Sequence, residues 1–222
     1  MNKIVDLIMR EPNVEEILEE ARLALAQERL DRKEFREWLT PDRKAEFING
    51  EIIMHSPAKE GHLLVTTTLS KIFGFYVTHH DLGVMRVEKA LVSLGRNDYE
   101  PDICVWLKED SDKFEKDMMV YPAPEFIVEV LSPSAKRRDR GVKKDSYEAH
   151  GVREYWIVDT EKETVEQYCN IRHSEGSKFE PVVVYAADDK IRCVAFQRLS
   201  IPMAALFNEK ACHQFVLELM AD

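Results

Sequence analysis

No run in the sequence is apolar for long enough to cross a bilayer, which argues against a helical membrane span. Cysteine is scarce and scattered. Cys104, Cys169, Cys193 and Cys212 make no C-x-x-C pair and no zinc-ligand spacing, so reduced thiols in a cytoplasm are expected. The first residues, MNKIVDLIMREPNVEE, lack a sustained apolar core and a small-residue cleavage site, and no signal peptide is expected. An excess of positive charge is missing too. With 31 lysines and arginines against 41 acids, the formal charge is −10. That argues against a general nucleic-acid coating protein while leaving room for a local basic face. Internal repeats, low-complexity tracts and a clear linker are also absent. What remains is a chain of 222 residues, 45% of them hydrophobic, which suits one core-forming domain with or without an added arm.

The most informative stretch runs from Pro124 to Asp159, PEFIVEVLSPSAKRRDRGVKKDSYEAHGVREYWIVD. Phe126–Leu131 reads as a strand buried on both faces, stopped by Pro133. Ser134 suits the N-cap of a following helix. Asp139, Lys143 and Tyr147 recur every four residues and share one face of it. Gly151 suits a left-handed residue ending that helix, and Tyr155–Val158 returns as a second strand, parallel to the first. Glu129 is out of place in this strand. Period two sets it on the face of Ile127 and Leu131, where a carboxylate is costly without a cation or metal. Lys136, Arg137, Arg138, Arg140, Lys143 and Lys144 follow within one segment.

Elsewhere, Val14, Ile17, Leu18, Ala21 and Leu25 form the apolar stripe of an N-terminal helix suited to packing or dimerisation. The polar stretch Gln27 to Arg36 fits either its continuation or its break. Asn49-Gly50 predicts a hairpin between strands near 45–48 and 51–54. His62 to Val77 reads as a helix, Val84 to Leu94 as one strand, Gly95 to Tyr99 as a turn, Ile103 to Leu107 as a strand entered through Pro101-Asp102, and Lys108 to Asp117 as a charged loop. Val165–Tyr168 and Val182–Tyr185 read as a hairpin, Phe196 to Phe207 as a strand and turn, and Ala211 to Met220 as a last helix. His79-His80 is read as structural. Expected boundaries are an arm over 1–34, a main domain over 35–210 and a short helix over 211–222.

Asp102 and Glu129, on neighbouring strands, can hold a hard divalent ion through oxygen, with the Val130 carbonyl as a further ligand. Mg²⁺, or Mn²⁺ in its place, favours one or two carboxylates with water and phosphate completing the shell. Lys143 would steady charge on a phosphoryl group, and Arg137, Arg138, Arg140 and Lys144 would contact backbone phosphates. Ordinary alternatives stand beside these roles. Asp139–Lys143 is also a common helix ion pair, the basic residues suit a solvated face, and Lys143 or Arg153 could satisfy Glu129 without metal.

The order Pro101-Asp102, Glu129–Ser134, Asp139, Lys143, Tyr147 and Gly151–Asp159 resembles the Uma2 family of PD-(D/E)XK, restriction-endonuclease-like proteins. Glu46, Gly50, Glu51 and His62 match the family's upstream pattern, and the resemblance covers roughly Phe35 to Phe207. It implies an α/β (mixed α+β) fold with a restriction-endonuclease-like core, a central mixed sheet of about four strands flanked by helices. It also implies metal-dependent hydrolysis of phosphodiester bonds in nucleic acid, DNA before RNA. Glu46 and Glu51 become accessory acids, and His62 a residue that shapes the site. The superfamily's lysine position, two residues after the second acid, holds Leu131 here, and Lys143 is the matching cation. The other readings are a catalytically inactive descendant that binds nucleic acid or a protein partner, and an oligomeric scaffold built on the arm. A homodimer is the expected assembly.

Overall fold

The computed structural model describes residues 3–132, 135–173, 176–196 and 199–221. Helix α1 (Lys3–Ile8) and the long α2 (Val14–Trp38) lead into the hairpin β1 (Ala45–Ile48) and β2 (Glu51–Met54), followed by α3 (Glu60–His79). Strands β3 (Gly83–Val87), β4 (Leu91–Leu94), β5 (Asn97–Tyr99) and β6 (Ile103–Leu107), the turn-length α4 (Lys108–Ser111), β7 (Val120–Tyr121) and β8 (Phe126–Val130) come next. A broken helix then carries α5 (Lys136–Arg138), a π-helical turn (Asp139–Lys143) and α6 (Lys144–Ala149) to β9 (Glu154–Asp159). Strands β10 (Thr164–His173), β11 (Gly176–Phe179), β12 (Val183–Tyr185), β13 (Lys190–Arg192) and β14 (Ser200–Pro202) and helices α7 (Ala204–Phe207) and α8 (Glu209–Ala221) complete the chain.

The fold is mixed α/β. A seven-stranded sheet runs β11-β10-β9-β8-β6-β3, with β12 also on β10, and a five-stranded sheet runs β2-β1-β5-β4-β7. Strands β8 and β9 are parallel, from Phe126 opposite Glu154 to Val130 opposite Val158, as the strand–helix–strand reading requires. The sheet is wider than the expected four strands because the polar connection after β10 folds back as β11 and β12 on that one long strand.

Period two divides β8 between two cores. Phe126, Val128 and Val130 pack with α3, α7 and α8, where Phe73, Phe126 and Trp156 form an aromatic cluster with centroids 4.8–5.6 Å apart. Ile127 and Leu131 face the second core, toward Val92, Leu94, Tyr99 and Tyr147. Glu129 therefore lies between the two sheets.

The chain changes sheets twice in this cleft. Leaving β3, it turns through Glu88 (φ 48°) and Lys89 (φ 53°) before β4. Leaving β5, it passes through Glu100, Pro101 and Asp102 before β6. The crossings touch, since the Glu88 N–H donates to the Asp102 carbonyl at 2.9 Å. The single strand expected over 84–94 is thus two strands in different sheets. The break falls at the charged pair Glu88-Lys89, which a single strand with one solvated face also accommodates. Residues 97–99, expected as a turn, are a strand, and the reversal is confined to Gly95 (φ 57°) and Arg96. Residues 108–111 form a helical turn inside the expected loop.

Several other expectations hold. Asn49 (φ 51°) and Gly50 (φ 85°) make the predicted hairpin turn. Gly151 (φ 76°) ends α6, with the Val152 N–H returning to the Tyr147 carbonyl at 3.0 Å. Gln27 to Arg36 continues α2 unbroken, and the helix runs on to Trp38. Its second half is docked: Phe35 packs on Phe47, and Arg32 Nε and Arg36 Nε donate to the fully buried Asp98 at 2.9 and 2.8 Å. In its first half Leu18, Leu23 and Leu25 are exposed. The helix after β8 is not continuous. Gly141 (φ −113°, ψ −109°) breaks it, and the expected Ser134 cap and Pro133 stop lie outside the described residues.

Gly83 (φ 153°) marks where β3 crowds β6. A Cβ there would stand 2.0 Å from the Trp106 carbonyl oxygen and 2.8 Å from Leu107 Cα. Both are backbone atoms that cannot swing away, so Gly83→Ala is expected to cost about 3 kcal/mol, read as a lowered midpoint in urea unfolding.

Candidate active site

The cleft between the sheets holds two adjoining groups of ionisable side chains. The inner group surrounds Lys143. Its Nζ lies 2.8 Å from Glu46 Oε1, 2.9 Å from Glu129 Oε1 and 3.6 Å from Asp139 Oδ1. Tyr147 donates to the same Glu129 oxygen at 2.8 Å. The helical face read from the sequence therefore closes over Glu129 despite the break at Gly141. Glu46 arrives from β1 and also accepts the Glu100 N–H at 3.0 Å, while His55 Nε2 stands 3.2 Å from its second oxygen. All these carboxylates and Lys143 are buried, and Lys143 is only 2% exposed.

The outer group surrounds Asp102. Its Oδ2 accepts the Val130 N–H at 2.8 Å, which ties the start of β6 to the end of β8. Its Oδ1 faces the other way, 3.1 Å from Lys44 Nζ and 3.4 Å from His62 Nε2. Glu88 completes the set, 3.5 Å from Lys44.

Charge explains how these groups titrate. Burial works to raise Glu46, but Lys143 and His55 hold it down to about 2. Burial also opposes ionisation of Asp102, yet the hydrogen bond from His62 and the charge of Lys44 keep it well below the usual carboxylate range. Glu129 goes the other way. Burial raises it well above that range against the pull of Lys143, and Asp139, Asp102 and Glu46 push in the same direction as burial. Burial alone would lower Lys143, but Glu129, Glu46 and Asp139 hold it protonated. One cation thus serves three buried acids, and Asp139 Oδ1 has no hydrogen-bond donor among the described residues.

A divalent ion fits the outer group. One ligand atom each from His62, Glu88 and Asp102 lies within 4.8 Å of the others, and carboxylate oxygens with an imidazole are donors suited to a hard or borderline divalent ion. Of the expected metal set of Asp102, Glu129 and the Val130 carbonyl, this group contains Asp102. Glu129 Oε1 is already taken by Lys143 and Tyr147, and Val130 enters through its N–H.

The remaining expected site residues divide. Glu46 and His62 are in the cleft. Glu51 is not: it shares the face of Glu46 through its pairing with Ile48, but it sits beside the turn on β2, the exposed edge strand of its sheet. Among the basic residues, Arg140 is held by Glu166 at 2.9 Å and Lys144 by Asp145 and Glu148 at 3.0 and 3.2 Å, whereas Arg137 is exposed. Arg153 pairs with Glu125, not with Glu129. Lys44, Glu88 and His55 were not anticipated. Lys44 could have been found, because period two sets it on the face of Glu46. Glu88 could not, because its direction depends on a left-handed backbone that glutamate rarely adopts.

Buried acid alone does not mark a site in this protein. Glu154, fully buried in β9, accepts from Trp156, Gln167 and the N–H groups of Val194 and Ala195 at 2.5–2.7 Å. Its oxygens are spent on holding the loop after β13.

A family model for Uma2, described as "Putative restriction endonuclease", matches residues 32–204. Two uncharacterised proteins of Synechocystis sp. are similar. One is 25% identical over 73% of this chain and 84% of that protein, and the other 28% identical over 58% and 73%. A crystal structure from Anabaena variabilis, described as a "putative nuclease belonging to DUF820", superposes with a TM-score of 0.68 at 18% identity. It covers 81% of this chain and 97% of its own. At that identity the likeness shows the fold.

Proposed function

Because the chain belongs to the Uma2 family, we propose that it is a metal-dependent endonuclease that hydrolyses phosphodiester bonds, with DNA as the preferred substrate. The observation that carries this reading is the paired placement of Asp102 and Glu129 on adjacent strands, joined through the Val130 N–H, with a donor set for a divalent ion opening from Asp102. Mg²⁺ or Mn²⁺ bound there would polarise the phosphate and lower the pKa of a bound water.

The residues of the chain have separable tasks. Asp102, Glu88 and His62 hold the ion. Val130 fixes the direction of Asp102 through its N–H. Glu129, raised by burial, can keep or release a proton beside the attacking water. In the reaction the water oxygen forms a new bond to phosphorus, one bridging P–O bond breaks, and the proton lost by water ends on the leaving oxygen. Exposed Arg137 suits a backbone phosphate, and ion pairs restrain Arg140 and Lys144. A homodimer would supply two sites for a double-strand cut. Among the described residues no helix is long and apolar enough to cross a membrane, and the four free cysteines suit a reducing cytoplasm.

A second reading, a nuclease fold kept for binding, draws on the enclosure of Lys143 by three carboxylates. Incubation with supercoiled plasmid and with single-stranded DNA separates the two. The endonuclease nicks or cuts with Mn²⁺ or Mg²⁺ and stops with EDTA. DNA binding without cleavage under any metal would favour the second.

A further inference from the structure

The position that holds the superfamily's lysine is Leu131 in this chain, so the cation must come from elsewhere. Lys143 reaches Glu129 but cannot also reach a substrate. Its ammonium lies 2.8 and 2.9 Å from Glu46 and Glu129, with Asp139 at 3.6 Å, and only 2% of the side chain is exposed. It is a counter-ion enclosed by protein.

Lys44 differs on each point. Among the described residues its Nζ makes one hydrogen bond, to Asp102 Oδ1 at 3.1 Å, with Glu88 at 3.5 Å, and 19% of its side chain is open to solvent. At least one donor remains for a ligand at the mouth of the cleft. The backbone that carries it is fixed on both sides: the Lys44 carbonyl accepts the His55 N–H at 3.0 Å, and the Ala45 N–H donates to buried Glu100 at 2.9 Å. A long side chain from a rigid strand start, beside the candidate metal ligands, is suited to meeting an anion held there.

We infer that Lys44, rather than Lys143, is the lysine that contacts the scissile phosphate. This assignment rests on the nuclease reading. Lys44 donates to a non-bridging phosphate oxygen and steadies the charge that develops on it. Lys143 is a positioning residue that keeps Glu46, Glu129 and Asp139 together. Glu88 serves Lys44 as well as the metal, since its left-handed turn aims a carboxylate at Lys44 and holds the ammonium over Asp102 when no substrate is present.

The test compares the wild-type chain with Lys44→Gln and Lys44→Arg in two assays. In plasmid cleavage, Lys44→Gln should lower kcat about 10²-fold and move KM less, while Lys44→Arg, which keeps the charge, should recover part of the loss. In binding of a short DNA duplex in Ca²⁺ at rising salt, Lys44→Gln should shrink the slope of log K against log salt by about 0.9, the loss of one phosphate contact. Wild-type cleavage with Lys44→Gln equally active overturns the inference and leaves the nuclease reading intact. Wild-type binding without cleavage defeats the nuclease reading, and the salt slope then decides Lys44 alone, an unchanged slope overturning it. A wild-type chain that neither binds nor cuts overturns both. Melting midpoints show whether either variant has failed to fold, and Lys44→Arg carries the test if Lys44→Gln has.

Discussion

Lys143→Met should lower stability by about 3–5 kcal/mol, which for a chain of this size moves the melting midpoint by about 10 °C. Methionine keeps most of the volume and flexibility of the lysine stem, so packing changes little. The loss is electrostatic. Glu46, Glu129 and Asp139 would face one another in the interior with no cation among them. Glu46 suffers most, because Lys143 is the chief partner holding it ionised against burial. Neutralising the acid that Lys143 holds ionised should restore part of the loss, so Lys143→Met with Glu46→Gln should melt above Lys143→Met alone, a coupling measurable in a double-mutant cycle. Urea unfolding of the four proteins gives the answer. An unchanged midpoint with cleavage abolished would instead make Lys143 a group used in chemistry and dispensable for folding.

Asp102→Asn should abolish cleavage, by about 10³-fold or more, if the metal contributes several kcal/mol to the transition state. The fold should survive. Asparagine still offers an oxygen to the Val130 N–H, and Lys44 and His62, which lose an ionic partner, both lie part-exposed at the cleft mouth where water can solvate them. What disappears is the charge shared with Glu88 and His62. Circular dichroism checks the fold, and conversion of supercoiled to nicked plasmid checks the activity. Cleavage by Asp102→Asn within tenfold of wild type would move the reaction away from this group.

Much of this architecture was legible in the chain. The parallel β8–β9 pair, the face shared by Asp139, Lys143 and Tyr147, the Asn49-Gly50 turn and the buried Glu129 each follow from local spacing, because period and turn chemistry act over a few residues. The sheet switches were not legible. Glu88 and Lys89 both take left-handed backbone in a segment read as one continuous strand, and only the docking of β3 and β4 into separate sheets imposes that bend. The site was half legible for the same reason. Residues on β8 and the following helix could be placed relative to one another, whereas Lys44 and Glu88 reach Asp102 across sequence separations of 58 and 14 residues that no local pattern encodes. Glu51 shows the converse. It shares the motif and the sheet face of Glu46, but its place at the turn of the exposed edge strand β2 leaves it outside the cleft.

The most direct test of the central claim, that the cleft holds a divalent ion at Asp102, is the melting midpoint of the wild type and of Asp102→Asn with and without millimolar Mn²⁺ or Mg²⁺. An ion that binds only the folded chain must raise the midpoint. The wild-type midpoint should rise with the ion, and Asp102→Asn should lose that rise. A flat wild-type midpoint, or the same rise in both proteins, would contradict it.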